Sequence, residues 1–203
     1  MVLADIGNTN CHIWDNGKIY NLQKMRKFED DVFYISVNKK KEQKFIQKNP
    51  HAVNLRNFAS LDTSYTALGI DRIMACKSIN DGLVVDAGSA VTIDVMQNGT
   101  HLGGVIMPGI YAFKEAFGKI SDKLKLDCYD VDFAKLPQNT DEALAYGSIG
   151  AVILTINNLK KNKKVYLTGG DGKFFAKHTG GIYIKDLVFR GMLEVIKYKK
   201  EYL

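Results

Sequence analysis

The sequence predicts an α/β protein of two joined lobes, and three observations carry that prediction. Short apolar runs of strand length, such as 32–37, 82–87 and 165–168, alternate with segments of helical periodicity. One strand–turn–strand pattern occurs twice: Asp5, Gly7, Asn8 and Ile13 reappear as Asp86, Gly88, Ser89 and Asp94 at one constant offset, with Thr92 at the position of Cys11. No linker-like or low-complexity segment separates the copies, so joined lobes over 1–80 and 81–203 fit better than independent domains.

Composition narrows the function classes. A chain of 203 residues with 46% hydrophobic and 25% charged residues has the make-up of an ordinary globular protein with a sizeable core. No apolar run approaches the roughly 18 residues that cross a bilayer, so no membrane partner is expected. Asp5 interrupts the first apolar run and no basic region precedes it, which argues against a signal peptide. Cys11, Cys76 and Cys128 are odd in number and lack metal-ligand spacing; they read as free thiols in a reducing compartment, hence a cytoplasmic location. The net charge of +6 does not signal nucleic acid, because only Arg26, Arg56, Arg72 and Arg190 among 28 basic residues are arginine. The lysine clusters Lys39–Lys41, Lys160–Lys164 and Lys197–Lys200 fall at expected helix ends or turns and read as solvated charge.

In order, the chain opens with a strand at Val2–Leu3, a tight turn, and alternation at Cys11, Ile13 and Trp14. Asn16-Gly17 turns into a strand over 18–22, and 32–37 is a buried strand. Residues 39–48 form a polar helix anchored by Phe45 and Ile46 and closed by Pro50, with a strand expected over 53–58. Ile70, Ile73 and Met74 share a helical face, which places Asp71 and Arg72 in the first turn of that helix. The duplicate hairpin occupies 82–95. A strand over 99–107 follows, broken at Gly103-Gly104, and then a helix with Pro108 at its first position and Ile110, Phe113 and Phe117 on one face. Asn139 and Glu142 have capping-box spacing at the start of a helix whose small residues Ala143, Gly147, Gly150 and Ala151 suit close packing. A strand at 165–168 enters a glycine turn. The chain ends with a strand over 182–184 and an amphipathic helix from Asp186, with Leu187, Met192, Leu193 and Ile196 as its core face.

Three stretches carry candidate chemistry, and each has a plain structural alternative. Gly7 permits close backbone approach, and a glycine turn beside Asp5 and the Thr9 hydroxyl can cradle phosphate and hold a metal-bound water; a capped hairpin would look the same. Asp71 is either a reactive carboxylate or an acid placed favourably on a helix dipole, and Arg72 either an anion contact or a solvated charge. Thr168-Gly169-Gly170-Asp171-Gly172 leaves room for a flat ligand such as adenine or ribose, or makes a tight strand-to-helix connection.

Together these motifs resemble the superfamily of actin, sugar kinases and acetate kinase. Within it, Gly69-Ile70-Asp71-Arg72 before the second hairpin and Gly103-Gly104-Val-Ile-Met-Pro108-Gly109 after it resemble type III pantothenate kinase. The resemblance runs in order from Asp5 to Arg190-Gly191. The chain is short for that family between the first hairpin and Asp71, and Ser89 stands where Thr is commoner, keeping the hydroxyl.

The resemblance implies a duplicated ribonuclease-H-like (actin-like ATPase) fold with nucleotide in the interlobe cleft. It also implies ATP-dependent phosphorylation of pantothenate at its 4′-hydroxyl, the first step toward coenzyme A, by a homodimer using Mg2+ and K+ or NH4+. It assigns ATP to Asp5, Ile6, Gly7, Asn8, Thr9, Asn10, Cys11, His12, Ser89, Thr168, Gly169 and Gly170. Pantothenate goes to Tyr65, Gly69, Ile70, Asp71, Arg72 and Thr140, magnesium through water to Asp5, the monovalent cation to Asp86, and proton abstraction to Asp71. Two other readings use the same residues. A nuclease could employ Asp5, Asp71 and Asp86 as two-metal ligands, and a non-catalytic nucleotide-binding regulator would keep the phosphate turns alone.

Overall fold

The structure is a computed structural model that describes residues 1–202, with side chains through Tyr198, so Lys199 and Lys200 of the last lysine cluster lie outside the described side chains. Packing divides it into two units. The first comprises Met1–Asn80, Met96–Leu102 and the final segment from Asp186; the second comprises Asp81–Val95 and Gly103–Lys185.

The first unit is built on the five-stranded sheet β3-β2-β1-β4-β5, with β1 Val2–Ile6, β2 Cys11–Asp15, β3 Lys18–Asn21, β4 Val32–Ser36 and β5 Val53–Asn54. β1 is central, antiparallel to β2 and parallel to β4, in a register that sets Asp5 opposite His12 on one side and Ile35 on the other. Val2, Leu3, Ala4 and Ile6 are buried, as a strand covered on both faces requires. Asn16 at φ 44° and Gly17 at φ 91° make the left-handed turn that joins β2 to β3. Helix α1 (Lys39–Lys48) is capped by Asn38, whose side chain accepts from the Lys41 amide at 3.0 Å, and it seats Phe45 between the rings of Phe28 and Tyr34.

The strand expected over 53–58 stops at Asn54. That side chain accepts from the Arg56 amide at 2.9 Å and turns Leu55–Phe58 into a 3-10 helix, burying Leu55. Helix α2 (Ile70–Lys77) buries Ile70 and Met74 as its periodicity predicts. The C-terminal helix α7 (Leu187–Tyr202) packs along α2, which is why it belongs with the first unit although a single cut at 80/81 would group it with the second half. Leu187, Met192 and Ile196 are buried, while Leu193 is only partly so.

The second unit carries the sheet order β11-β10-β7-β8-β9-β6, with β6 Asp62–Thr63, β7 Gly82–Ala87, β8 Ala90–Gln97, β9 Thr100–Pro108, β10 Val165–Thr168 and β11 Ile182–Tyr183. Residues 96–102, at the far end of the β8–β9 hairpin, group with the first unit together with β6, which pairs Asp62 with Thr100 and Thr63 with His101. Leu83, Val85, Val91 and Ile93 form its core with Val152, Ile153 and Ile156 of helix α5 (Ala151–Lys160) and Phe175 of helix α6 (Gly172–Thr179).

Two boundaries differ from expectation. β9 runs unbroken through Gly103, which takes φ +132°. Pro108 ends that strand, and helix α3 (Ile110–Ile120) begins after Gly109, whose amide is held by the Ser89 carbonyl at 3.1 Å. A tertiary contact therefore delays the helix start that Pro108 favours locally.

Helix α4 (Thr140–Ala145) has the expected cap: Asn139 accepts from the Glu142 amide at 2.9 Å, and Glu142 accepts from the Gln138 amide at 3.2 Å. A π-helical turn at Tyr146–Gly150 links α4 to α5. Among the described residues, no helix is long and apolar enough to cross a membrane.

Candidate active site

The first unit presents two groups of candidate residues. At the Gly7–Asn10 turn, the Gly7 amide donates to the Asn10 carbonyl at 2.9 Å, and a Cβ on Gly7 would press on that same oxygen at 3.1 Å. Glycine is therefore needed here for close approach. Asn8, Thr9 and Asn10 are exposed, Asp5 and His12 are half-buried, and Ile6 and Cys11 are buried. The turn thus offers backbone and polar side chains to solvent while its flanking strands are anchored in the core.

Burial and the neighbouring Asp5 charge push the Cys11 thiol up to about 11, against a smaller lowering by Lys41. The folded state then favours the neutral thiol. The associated stability is present below the ordinary thiol range and is lost as pH rises through about 11. In native protein at pH 8, iodoacetamide is expected to modify the partly exposed Cys128 well before Cys11, with Cys11 reacting only on unfolding. Peptide mass mapping reads this directly; prompt native labelling of Cys11 would contradict it.

The second group lies at the start of α2. Gly69 caps the helix without a side chain, and Asp71 Oδ1 accepts from the Arg72 amide at 2.9 Å. A Cβ on Gly69 would lie 2.5 Å from that carboxylate oxygen, so glycine makes the space in which Asp71 folds over the helix end. Arg72, the solvated charge of the plain alternative, is instead 5% exposed. Its guanidinium sits 4.8 Å from the Tyr65 ring centre and donates to the Tyr65 hydroxyl at 3.3 Å. Tyr65 is itself steadied by Thr63, which accepts from its amide at 3.0 Å and bonds His101 Nδ1 at 2.8 Å. Nothing in the sequence pattern pointed to His101; pairing of β6 with β9 brings it here.

In the second unit, the register of β7 with β10 sets Asp86 opposite Thr168, which is buried. Gly169 follows at φ +85°, and the Asp171 amide donates to the Ala87 carbonyl at 2.9 Å. A Cβ on Gly169 would collide with the Ala87 carbonyl and lie 2.5 Å from Asp86 Oδ1. Glycine is required at this position because its backbone packs directly against the Ala87 carbonyl and the Asp86 carboxylate. Burial raises the Asp171 carboxyl from its ordinary value. Gly170 faces open space. Ser89 is exposed on the second hairpin turn, and Thr140 is exposed at the start of α4.

Among the described residues, no group of three or more His, Cys, Asp or Glu side chains could hold a metal by itself. Magnesium characteristically keeps several waters and takes one or two carboxylates plus substrate phosphates; Asp5, half-buried in β1, is the carboxylate beside the first turn.

Comparison with known proteins identifies the family. A family model described as type III pantothenate kinase matches residues 23–162. A Wolinella succinogenes protein named type III pantothenate kinase is 45% identical over 99% of each chain. The crystal structure of a Campylobacter jejuni protein described as a Baf family transcriptional activator superposes with a TM-score of 0.86 at 41% identity, covering 99% of this chain and 100% of that one. Component A of the (R)-2-hydroxyglutaryl-CoA dehydratase of Acidaminococcus fermentans shares the fold at 14% identity, with a TM-score of 0.52 over 100% of this chain and 99% of that one. The architecture is the duplicated ribonuclease-H-like fold, and the chain belongs to the type III pantothenate kinase family.

Proposed function

We propose that this protein transfers the γ-phosphoryl group of ATP to the 4′-hydroxyl of pantothenate, yielding 4′-phosphopantothenate and ADP in the first step of coenzyme A biosynthesis. The observation that carries this reading is similarity along 99% of the chain, at 45% identity, to a protein named for that activity.

The residue roles rest on the family resemblance and on chemistry. The exposed Gly7–Asn10 turn holds the terminal phosphates, with Ser89 reaching a phosphate oxygen and Thr168-Gly169-Gly170 lying along adenosine. Asp71 takes the hydroxyl proton as the pantothenate oxygen attacks the γ-phosphorus; the bond to the bridging oxygen breaks and ADP leaves with its electron pair. A carboxylate suffices as base, because loose phosphoryl transfer asks mainly for a positioned nucleophile and neutralised charge. Arg72, restrained against Tyr65, offers a fixed positive charge to the pantothenate carboxylate, while Gly69, Ile70 and Thr140 complete the substrate contacts. Magnesium, oriented by Asp5 through water, supplies charge neutralisation on the phosphates when bound. Asp86, by the family resemblance, would hold K+ or NH4+.

The enzyme works as a cytoplasmic homodimer. The apolar surface of α3 supports a second copy as partner: none of its residues is buried, and Tyr111 and Ile120 are 70% and 71% exposed.

The decisive experiment measures ADP release with pantothenate against a panel of sugars and small hydroxy acids, in potassium and in sodium. Turnover is expected with pantothenate alone, and depressed in sodium. ATP binding without a phosphorylated product would favour the regulatory reading, magnesium-dependent cleavage of labelled nucleic acid the nuclease, and sequence-dependent DNA binding the transcriptional description of the Campylobacter jejuni neighbour.

A further inference from the structure

Helix α1 opens against the usual electrostatic preference. Lys39, Lys40 and Lys41 occupy its first turn, where the positive end of the helix dipole disfavours cations. Lys39 and Lys40 are exposed, as solvated charges are, but Lys41 is half-buried. Its ammonium donates to the carbonyls of Gly7, Asn8 and Thr9 at 3.3, 2.7 and 2.6 Å. An ammonium has three N–H donors, so the side chain is fully engaged by one turn. The same helix start grips that turn a second time, through Asn38 Nδ2 donating to Asn8 Oδ1 at 3.3 Å, while Asn38 Oδ1 caps the Lys41 amide.

The consequence follows from peptide geometry. In a trans peptide the C=O and the next residue's N–H point in opposite directions, and no peptide bond in this chain is cis. Drawing the Gly7, Asn8 and Thr9 carbonyls toward Lys41 therefore turns the Asn8, Thr9 and Asn10 N–H groups toward the opposite side. Because the carbonyls converge on one ammonium, those N–H groups splay apart on the far face, where each can meet a different phosphate oxygen. The Lys41 charge also reaches the interior of the hairpin, where it counters the Asp5 effect on Cys11.

We propose that Lys41 is the positioning residue of the phosphate turn: from α1 it holds three consecutive carbonyls and so pre-orients the Asn8–Asn10 amides for the terminal phosphates of a nucleoside triphosphate. This rests on the reading of Gly7–Asn10 as the phosphate site. A lysine that violates the local helix rule and is compensated by contacts to a distant turn is what a site-directed constraint looks like.

The test compares Lys41→Met, which keeps the apolar stem, with Lys41→Arg, whose planar fork matches three convergent carbonyls poorly. ATP and pantothenate KM, kcat, Tm, and calorimetric affinity for a non-hydrolysable ATP analogue are measured for each. Lys41→Met should raise the ATP KM and the analogue Kd by about tenfold, the loss of a charge-assisted contact, while the pantothenate KM stays within about twofold. Its Tm should stay within about 2 °C of wild type, because lost contacts at an exposed turn are offset by relief at the helix dipole. Lys41→Arg should fall between. An unchanged ATP KM in Lys41→Met, or a fall in Tm with both KM values moving together, would overturn the assignment while leaving the kinase reading intact. Failure of the wild-type protein to bind the analogue would instead overturn the nucleotide reading and this inference with it.

Discussion

Asp71→Asn is expected to lower kcat by on the order of a hundredfold or more, the usual worth of a positioned general base, with little change in the ATP KM. The substitution is nearly isosteric, and the amide oxygen can still accept from the Arg72 amide as Asp71 Oδ1 does. The start of α2, the cap at Gly69 and the Arg72–Tyr65 contact should therefore persist. What disappears is the carboxylate's negative charge and its capacity to take a proton. Steady-state kinetics at saturating ATP and pantothenate, with circular dichroism to establish that α2 is formed, read the effect. Turnover within a few-fold of wild type would remove Asp71 from the role of base, and a parallel rise in both KM values would mark it as a binding group.

Gly191→Ala is expected to destabilise the protein by about 3 kcal/mol, lowering Tm by on the order of 10 °C. On an open helix surface the same change stabilises, since alanine is the better helix former by roughly 1 kcal/mol. The reversal comes from the α2–α7 crossing. A Cβ on Gly191 would collide with the Met74 carbonyl oxygen and lie 2.7 Å from the Met74 carbonyl carbon and 3.0 Å from its Cα. Those are backbone atoms of a helix that also buries Ile70 and Met74, so neither helix can yield without opening the core. Because α2 carries Asp71 and Arg72, the variant should also lose turnover beyond its unfolded fraction. Urea denaturation monitored by circular dichroism gives the stability change, and a variant as stable as wild type would show that the helices slide apart freely.

Short-range features of the fold were legible because they are written in short-range chemistry. The Asn16-Gly17 turn, the Asn139 cap and the burial of Ile70 and Met74 each depend on residues within a turn or two of one another. The duplicated Asp-x-Gly hairpin was legible for the same reason, and with the Gly69–Arg72 segment it carried the resemblance to the family that the full-length similarities show.

Candidate site residues were legible as residue types at motif positions, but their surroundings were not. The sequence suits Arg72 equally to solvent or to an anion; only the folded chain lays it over Tyr65 and draws His101 beneath through Thr63. Lys41 reads as one of a solvated cluster, and its engagement with Gly7, Asn8 and Thr9 spans more than thirty residues of chain. Pro108 signals a helix start locally, yet the hold of Ser89 on Gly109 moves that start to Ile110.

By itself, then, the sequence determined most of the elements, the two Asp-x-Gly turns and the family, because periodicity, turn residues and motif spacing are properties of neighbouring residues. Tertiary structure alone decided which faces meet: α7 on α2, α1 on the first turn, and Gly169 against Ala87 and Asp86. Those contacts depend on backbones approaching from distant parts of the chain, where a missing Cβ or a single ammonium settles the fit.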